Sequence, residues 1–220
     1  MPQQKSGQIA CRHIVWDWNG TLLDDSEAAF RAMRHTILTE GSIEISSHQY
    51  RQNYTQPLRD FFSRLIGHHV SLDEHKKLAA TYYAKYKELS GACKLTTGAA
   101  ETLAAWRAAG GTQSLLSLYP HDALLSLVQN YKVAHEFILI QGSQGIIRAG
   151  KAKIVAEHLN LLNLGECGTC FVGDSPDDAR AAGAFMFFHF IQGEYSLTIN
   201  SVGARTLTSL PALLDMLEYD

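Results

Sequence analysis

Apolar and polar positions alternate in blocks along the 220-residue chain, and the blocks read as structural elements. A polar opening stretch gives way to Arg12-His13-Ile14-Val15-Trp16, a β-branched and aromatic run that stops abruptly at Asp17. That pattern predicts a buried strand delivering an acid at its C-terminal end. Asn19-Gly20 is a strong turn dipeptide, and apolar residues at helical spacing after Ser26 predict a helix to about Thr39, closed by Glu40-Gly41-Ser42. From about Ser46 to Leu89 the chain turns aromatic, basic and helical, and it carries no strand signal.

Afterwards the period switches repeatedly between the helical and the extended. Helices are predicted over Gly98–Ala109, Asp122–Tyr131, Lys151–Leu162 and Asp177–Ala182, with a last one near Leu210–Leu217. Strands are predicted between them at Thr112–Leu118, Phe137–Gln141, Thr169–Val172 and Phe185–Phe190. Repeated strand–helix alternation implies an α/β fold, a Rossmann-like parallel sheet core with helices on both faces. The helical stretch then reads as an α-helical cap inserted at 26–93, leaving 1–25 and 94–220 as the core domain.

Composition narrows the classes. With 46% hydrophobic and 19% charged residues the chain can build a core and is not a disordered polyelectrolyte. Nineteen basic against 22 acidic residues leave a net charge of −3, no broad positive field for a nucleic-acid backbone. The longest apolar run, Ala184 to Phe188, is far too short to span a membrane, and Met1 to Gln8 lacks the apolar stretch of a signal peptide, so a cytoplasmic protein is expected. The four cysteines offer one local pair, Cys167 and Cys170, where Cys170 reads more simply as a small core residue opening a strand. The ten histidines form no ligand pattern.

In an open parallel sheet the ligand site lies at the carboxyl ends of the strands. The residues predicted there are Asp17, Ser117, Lys151 at a helix start, and Gly173-Asp174-Ser175-Pro176-Asp177-Asp178. Three carboxylates, a hydroxyl and an amine converging on one edge suit a hard cation and a phosphate dianion. Lys153 competes for the lysine role, but Ile154, Val155 and Leu159 follow Lys151 at the offsets a buried helix face demands.

On these residues the chain resembles the haloacid dehalogenase-like hydrolase superfamily. Asp17-Trp18-Asn19-Gly20-Thr21-Leu22, Ser117, Lys151 and the Gly173–Asp178 run match its four motifs in order, and the inserted cap is similar to that of the phosphoglycolate phosphatase-like branch. The resemblance implies a magnesium-dependent phosphate monoester hydrolase in which Asp17 becomes an aspartyl phosphate that water hydrolyses. It implies magnesium held by the Asp17 carboxylate, the Asn19 backbone carbonyl, Asp174 and Asp178, with Thr21, Ser117 and Lys151 on the phosphate. Arg51, Tyr54, Arg59 and Arg64 in the cap are candidates for the organic portion of a small phosphorylated metabolite such as phosphoglycolate. Asp24 and Asp25 are expected to be surface or capping residues.

One position departs from the pattern. Phosphatases of the family carry an acid–base aspartate two residues after the nucleophile, and here that residue is Asn19. An amide orients but exchanges no proton, which costs about 10²–10⁴ in rate. The expected enzyme is slow, or favours leaving groups that need little protonation, such as aryl or acyl phosphates. Two alternatives stand beside it: a regulatory protein that binds a phosphorylated ligand without turnover, and a phosphonatase using a cap lysine among Lys76, Lys77, Lys85 and Lys87.

Overall fold

The computed structural model describes residues 9–144, 150–164, 168–193, 195–197, 199 and 203–218, apart from the side chain of Lys153. Strand β1 (Ile9–Ala10) precedes β2 (His13–Trp16), and β3 (Leu23–Asp24) leads into four cap helices. These are α1 (Ser26–Gly41), α2 (Ser47–Asn53), α3 (Leu58–Ile66) and α4 (Leu72–Ser90). The chain returns through β4 (Lys94–Leu95), α5 (Ala99–Ala108), β5 (Thr112–Pro120), α6 (His121–Asn130) and β6 (Leu139–Ser143). It closes with α7 (Ala152–Leu161), β7 (Thr169–Gly173), α8 (Pro176–Ala182), β8 (Met186–Phe190), β9 (Arg205–Leu207), α9 (Ala212–Met216) and β10 (Leu217–Glu218).

The main sheet has the order β6-β5-β2-β7-β8-β9, and every pairing in it is parallel. The chain starts at the centre with β2, builds outward through β5 and β6, then crosses back to add β7, β8 and β9 on the other side. The switch point where ligands bind in such sheets therefore lies at the ends of β2, β5 and β7. Central strands in a two-sided sheet are covered on both faces, and all of β2 and β7 is buried.

Alternation along each strand sorts side chains between two cores, as a period of two requires. Ile14, Trp16, Leu115, Cys170, Val172 and Phe188 join one apolar cluster, while Val15, Leu116, Phe171 and Phe187 join the cluster on the opposite face. The cap has a third core, built on Phe30, Met33, Ile37, Phe61, Phe62 and Leu65. Strands β3 and β4 pair antiparallel where the chain leaves for the cap and where it returns.

Observed boundaries depart from expectation where a strand is short or polar. The two-residue strands and β9 carry no readable alternation, β6 is shifted to Leu139–Ser143, and the last helix is cut to Ala212–Met216 because Leu217 pairs with Ile9. Cys170 is a buried core residue with a free thiol, while Cys167 lies outside the described residues.

One buried polar chain crosses from sheet to helix. Ser114 Oγ lies 2.8 Å from Nε2 of both His13 and His158, whose Nδ1 atoms lie 2.8 Å from Thr112 Oγ1 and 2.7 Å from Gln141 Oε1. Burial lowers both imidazoles to about 4, His158 also feeling His13 and Lys151, so both rings stay neutral near neutral pH. A folded-state value below the ordinary 6.5 means the unfolded chain binds more protons in that window. Their stabilising contribution is therefore complete above about pH 6.5 and lost as pH falls toward about 4, on the order of 3 kcal/mol per ring. Urea denaturation of the wild type and His158→Gln at several pH values checks this: the stability gap between them should shrink on acidification, and a constant gap would refute it.

Candidate active site

Asp17 follows β2 directly and opens a turn in which the Leu23 N–H donates to the Trp18 carbonyl at 2.9 Å. Gly20 adopts φ +75° inside it, and a Cβ there would lie 2.3 Å from Asp174 Oδ2, so close approach of the two segments requires glycine. Thr21 Oγ1 donates to Asp17 Oδ2 at 3.4 Å. Ser117, on β5, is buried, accepts from the Tyr119 N–H at 3.1 Å and donates to Asn19 Oδ1 at 3.3 Å.

Lys151 precedes α7, and its backbone N–H donates to Asp177 Oδ2 at 2.7 Å. Asp177 is held in turn by Arg180 at 3.0 Å. The N-cap of α8 is Ser175, in a reciprocal capping box with Asp178. Ser175 Oγ donates to Asp178 Oδ2 at 2.6 Å, which leaves Asp178 Oδ1 free to meet the ammonium of Lys151. The same ammonium contacts Asp17 Oδ1, so one buried cation bridges the acids of β2 and α8.

Asp17, Asp174 and Asp178 each offer an oxygen within 4.8 Å of the other two. Burial, then repulsion from Asp178, pushes Asp17 up to about 7 against the pull of Lys151. Burial, then Asp17 and Asp178, hold Asp174 well above the usual carboxylate range. Burial alone would lower Lys151, but Asp17 and Asp178 raise it, so it stays charged. One ammonium does not neutralise three close carboxylates, and an all-oxygen donor set of this kind fits a hard divalent cation.

The sequence profile of the haloacid dehalogenase-like hydrolases matches residues 14–187. The chain belongs to the haloacid dehalogenase-like hydrolase family. A comparison with curated proteins finds no match. Among solved structures, a provisionally assigned haloacid dehalogenase-like hydrolase from Bacteroides fragilis superposes with TM-score 0.79 at 19% identity, over 92% of this chain and 99% of that one. A provisionally assigned phosphoglycolate phosphatase from Lactobacillus plantarum gives 0.80 at 15%, over 95% and 100%. CbbY from Rhodobacter sphaeroides, in complex with xylulose-(1,5)bisphosphate, gives 0.75 at 19%, over 91% and 95%. At such identities the likeness is one of fold.

Within this haloacid dehalogenase-like frame the structure brings Asp17, Asn19, Ser117, Lys151, Asp174 and Asp178 to one cavity of about 160 Å³ between cap and core. Tyr54 lines it too, whereas Arg51, Arg59, Arg64 and the lysines Lys76, Lys77, Lys85 and Lys87 are not among its described lining residues. Arg59 lies 3.9 Å from Asp60, Lys76 and Lys77 are exposed partners of Asp73 and Glu40, and Lys85 pairs with Glu88.

Asp25 corrects the sequence reading. Its neighbour Asp24 is exposed, but Asp25 is buried and makes no side-chain cap on α1. Its Oδ2 accepts from Asn19 Nδ2 at 2.8 Å and from the Tyr86 hydroxyl, and its Oδ1 accepts from the Gly20 N–H at 2.6 Å. Asn19 Nδ2 also donates to the Tyr86 hydroxyl at 2.8 Å. Burial raises the Asp25 carboxyl, with the three donors opposing, and it raises the Tyr86 phenol. Nothing in the sequence singled out Asp25 or Tyr86, because the contact joins residues 61 positions apart.

This network explains the amide at position 19. Beside Asp25 a second carboxylate would replace an N–H···O bond by two facing acceptors, whereas asparagine supplies the donor. Asn19→Asp alone should therefore lose about 1–3 kcal/mol, and adding Asp25→Asn should recover most of it by exchanging donor and acceptor. Urea midpoints of the single and double variants measure this, and a single variant as stable as the wild type would show that the contact does not dictate the amide.

Proposed function

We propose that the chain is a magnesium-dependent phosphate monoester hydrolase that works through an aspartyl-phosphate intermediate. The observation that carries this reading is the Lys151 ammonium bridging Asp17 and Asp178, with Asp174 beside them at the switch point of the sheet. Asp17 is the nucleophile: its carboxylate oxygen bonds to phosphorus as the bond to the leaving oxygen breaks. Asp17, the Asn19 backbone carbonyl, Asp174 and Asp178 would hold the cation, which would supply neutralising charge to the transferring group.

Lys151 and Ser117 bind phosphate oxygens; Thr21, expected on the phosphate, is fully buried and not among the described lining residues, and it supports Asp17 by its hydrogen bond instead. Asn19 presents Oδ1 to the cavity floor, because its Nδ2 is committed to Asp25 and Tyr86. An amide oxygen can accept a hydrogen bond from the water that attacks the aspartyl phosphate, but no proton reaches a leaving alkoxide from it. Leaving groups that depart without protonation, aryl or acyl, are therefore favoured.

The cap lysines of the phosphonatase alternative lie away from the described cavity wall and do not support it. No helix among the described residues is long and apolar enough to cross a membrane. The test is magnesium-dependent phosphate release from an aryl phosphate by the wild type and Asp17→Asn. Release should fall by several orders of magnitude in the variant. Equal, near-zero release from both would replace hydrolysis by the other reading, in which the site holds a phosphorylated ligand without turning it over.

A further inference from the structure

The cavity above the carboxylates is walled by aromatic rings. Seven of the described tyrosines line it, among them Tyr50 within α2 and Tyr54 at its C-terminal end, Tyr82, Tyr83 and Tyr86 on α4, and Tyr119 from the core. Tyr82 and Tyr86 stack at 6.0 Å, one helical turn apart, and Tyr86 and Tyr83 meet Tyr119 edge-on at 5.5 and 6.2 Å. Tyr50 and Tyr86 are buried, but Tyr54, Tyr82, Tyr83 and Tyr119 remain partly exposed. Rings that only joined cap to core would leave little surface facing the cavity. These pack on one another at the 4.5–7 Å spacings that aromatic pairs prefer and still contribute surface to the cavity lining.

Charge in the same cavity is one-sided. Its described lining holds five aspartates and one basic residue, Lys151, whose ammonium already meets Asp17 and Asp178. Burial keeps the phenols of Tyr50, Tyr54 and Tyr82 neutral near neutral pH. With the proposed cation and Lys151 engaged by the phosphate and the three aspartates, a second anionic group on the substrate would meet neutral hydroxyls, with no further described cation to receive it.

Resting on the phosphomonoester reading above, we infer that the substrate is a monophosphate of a compact, uncharged phenol, held by the tyrosine wall. It is not a carboxylated phosphate or a bisphosphate. The amide at position 19 agrees independently, since phenolic oxygen leaves without an acid.

The test separates ring recognition from leaving-group acidity by using phosphonates, which bind without turnover. Calorimetric titration with magnesium present would compare benzylphosphonate, 3-phosphonopropionate and methylphosphonate on the wild type, Tyr83→Ala and Tyr83→Phe. Benzylphosphonate should bind at least about tenfold tighter than 3-phosphonopropionate. Tyr83→Ala should lose about that factor for benzylphosphonate while binding methylphosphonate unchanged, and Tyr83→Phe should retain most of the preference. Equal or tighter binding of 3-phosphonopropionate would overturn the substrate class and leave the phosphatase reading intact. A benzyl preference unaffected in Tyr83→Ala would overturn the tyrosine wall as its source. No binding of any phosphonate, with no turnover of any ester, would overturn the phosphomonoester reading itself.

Discussion

Everything in the candidate site is arranged around one buried ammonium. Lys151 is 5% exposed and lies between Asp17 and Asp178, which come from opposite ends of the sequence. Taking a lysine out of water is expensive unless its partners are fixed, and removing either partner of such a pair typically costs about 3–5 kcal/mol. Both partners are fixed, Asp17 by the end of a fully buried strand and Asp178 by the Ser175 capping box. The lysine is placed by its own backbone bond to Asp177, so a helix start and two strand ends are tied at one point. A parallel sheet with its switch point here is the scaffold that brings them together.

The ammonium leaves a negative remainder. Asp174 sits beside the pair with its carboxyl well above the usual range, and Asp17 is raised to about 7, both chiefly by burial. Buried carboxylates under this pressure either take up protons or gather a cation, and the same pressure that would destabilise the bare site would favour metal binding. Asn19 fits this balance. A further ionised aspartate at that position would face Asp25 as well as the cluster. The Asn19–Asp25–Tyr86 network instead uses the amide to join the turn after β2 to the last cap helix.

Long periodic features were readable in the sequence, and contacts between distant residues were not. The buried strand ending at Asp17, the Gly173–Asp178 run and the helices flanking them follow from apolar periodicity and turn chemistry, and the strands occupy the parallel sheet expected of them. Offsets of apolar residues around Lys151 singled it out over Lys153, and the structure places Lys151 in the cavity. By contrast β1, β3, β4 and β10 have two residues each, too few to show alternation. Asp25 followed Asp24 like any polar pair before a helix, and its burial depends on a tyrosine on another helix. The tyrosines of α4 read as helix periodicity, and only the fold turns them toward Tyr119 and the carboxylates. The arginines of the cap were plausible by charge, yet the described cavity lining holds seven tyrosines and no arginine.

The proposed reaction requires the three carboxylates beside Lys151 to hold a divalent cation. Calorimetric titration of magnesium into the metal-stripped wild type and Asp174→Asn, paired with melting curves in chelator, tests it most directly. The wild type should bind magnesium and gain thermal stability from it. Asp174→Asn should bind far more weakly while melting higher than the wild type in chelator, because a buried acid has been removed from a crowded cluster. A wild type that binds no magnesium at millimolar concentration, or a variant that binds it equally well, would contradict the account.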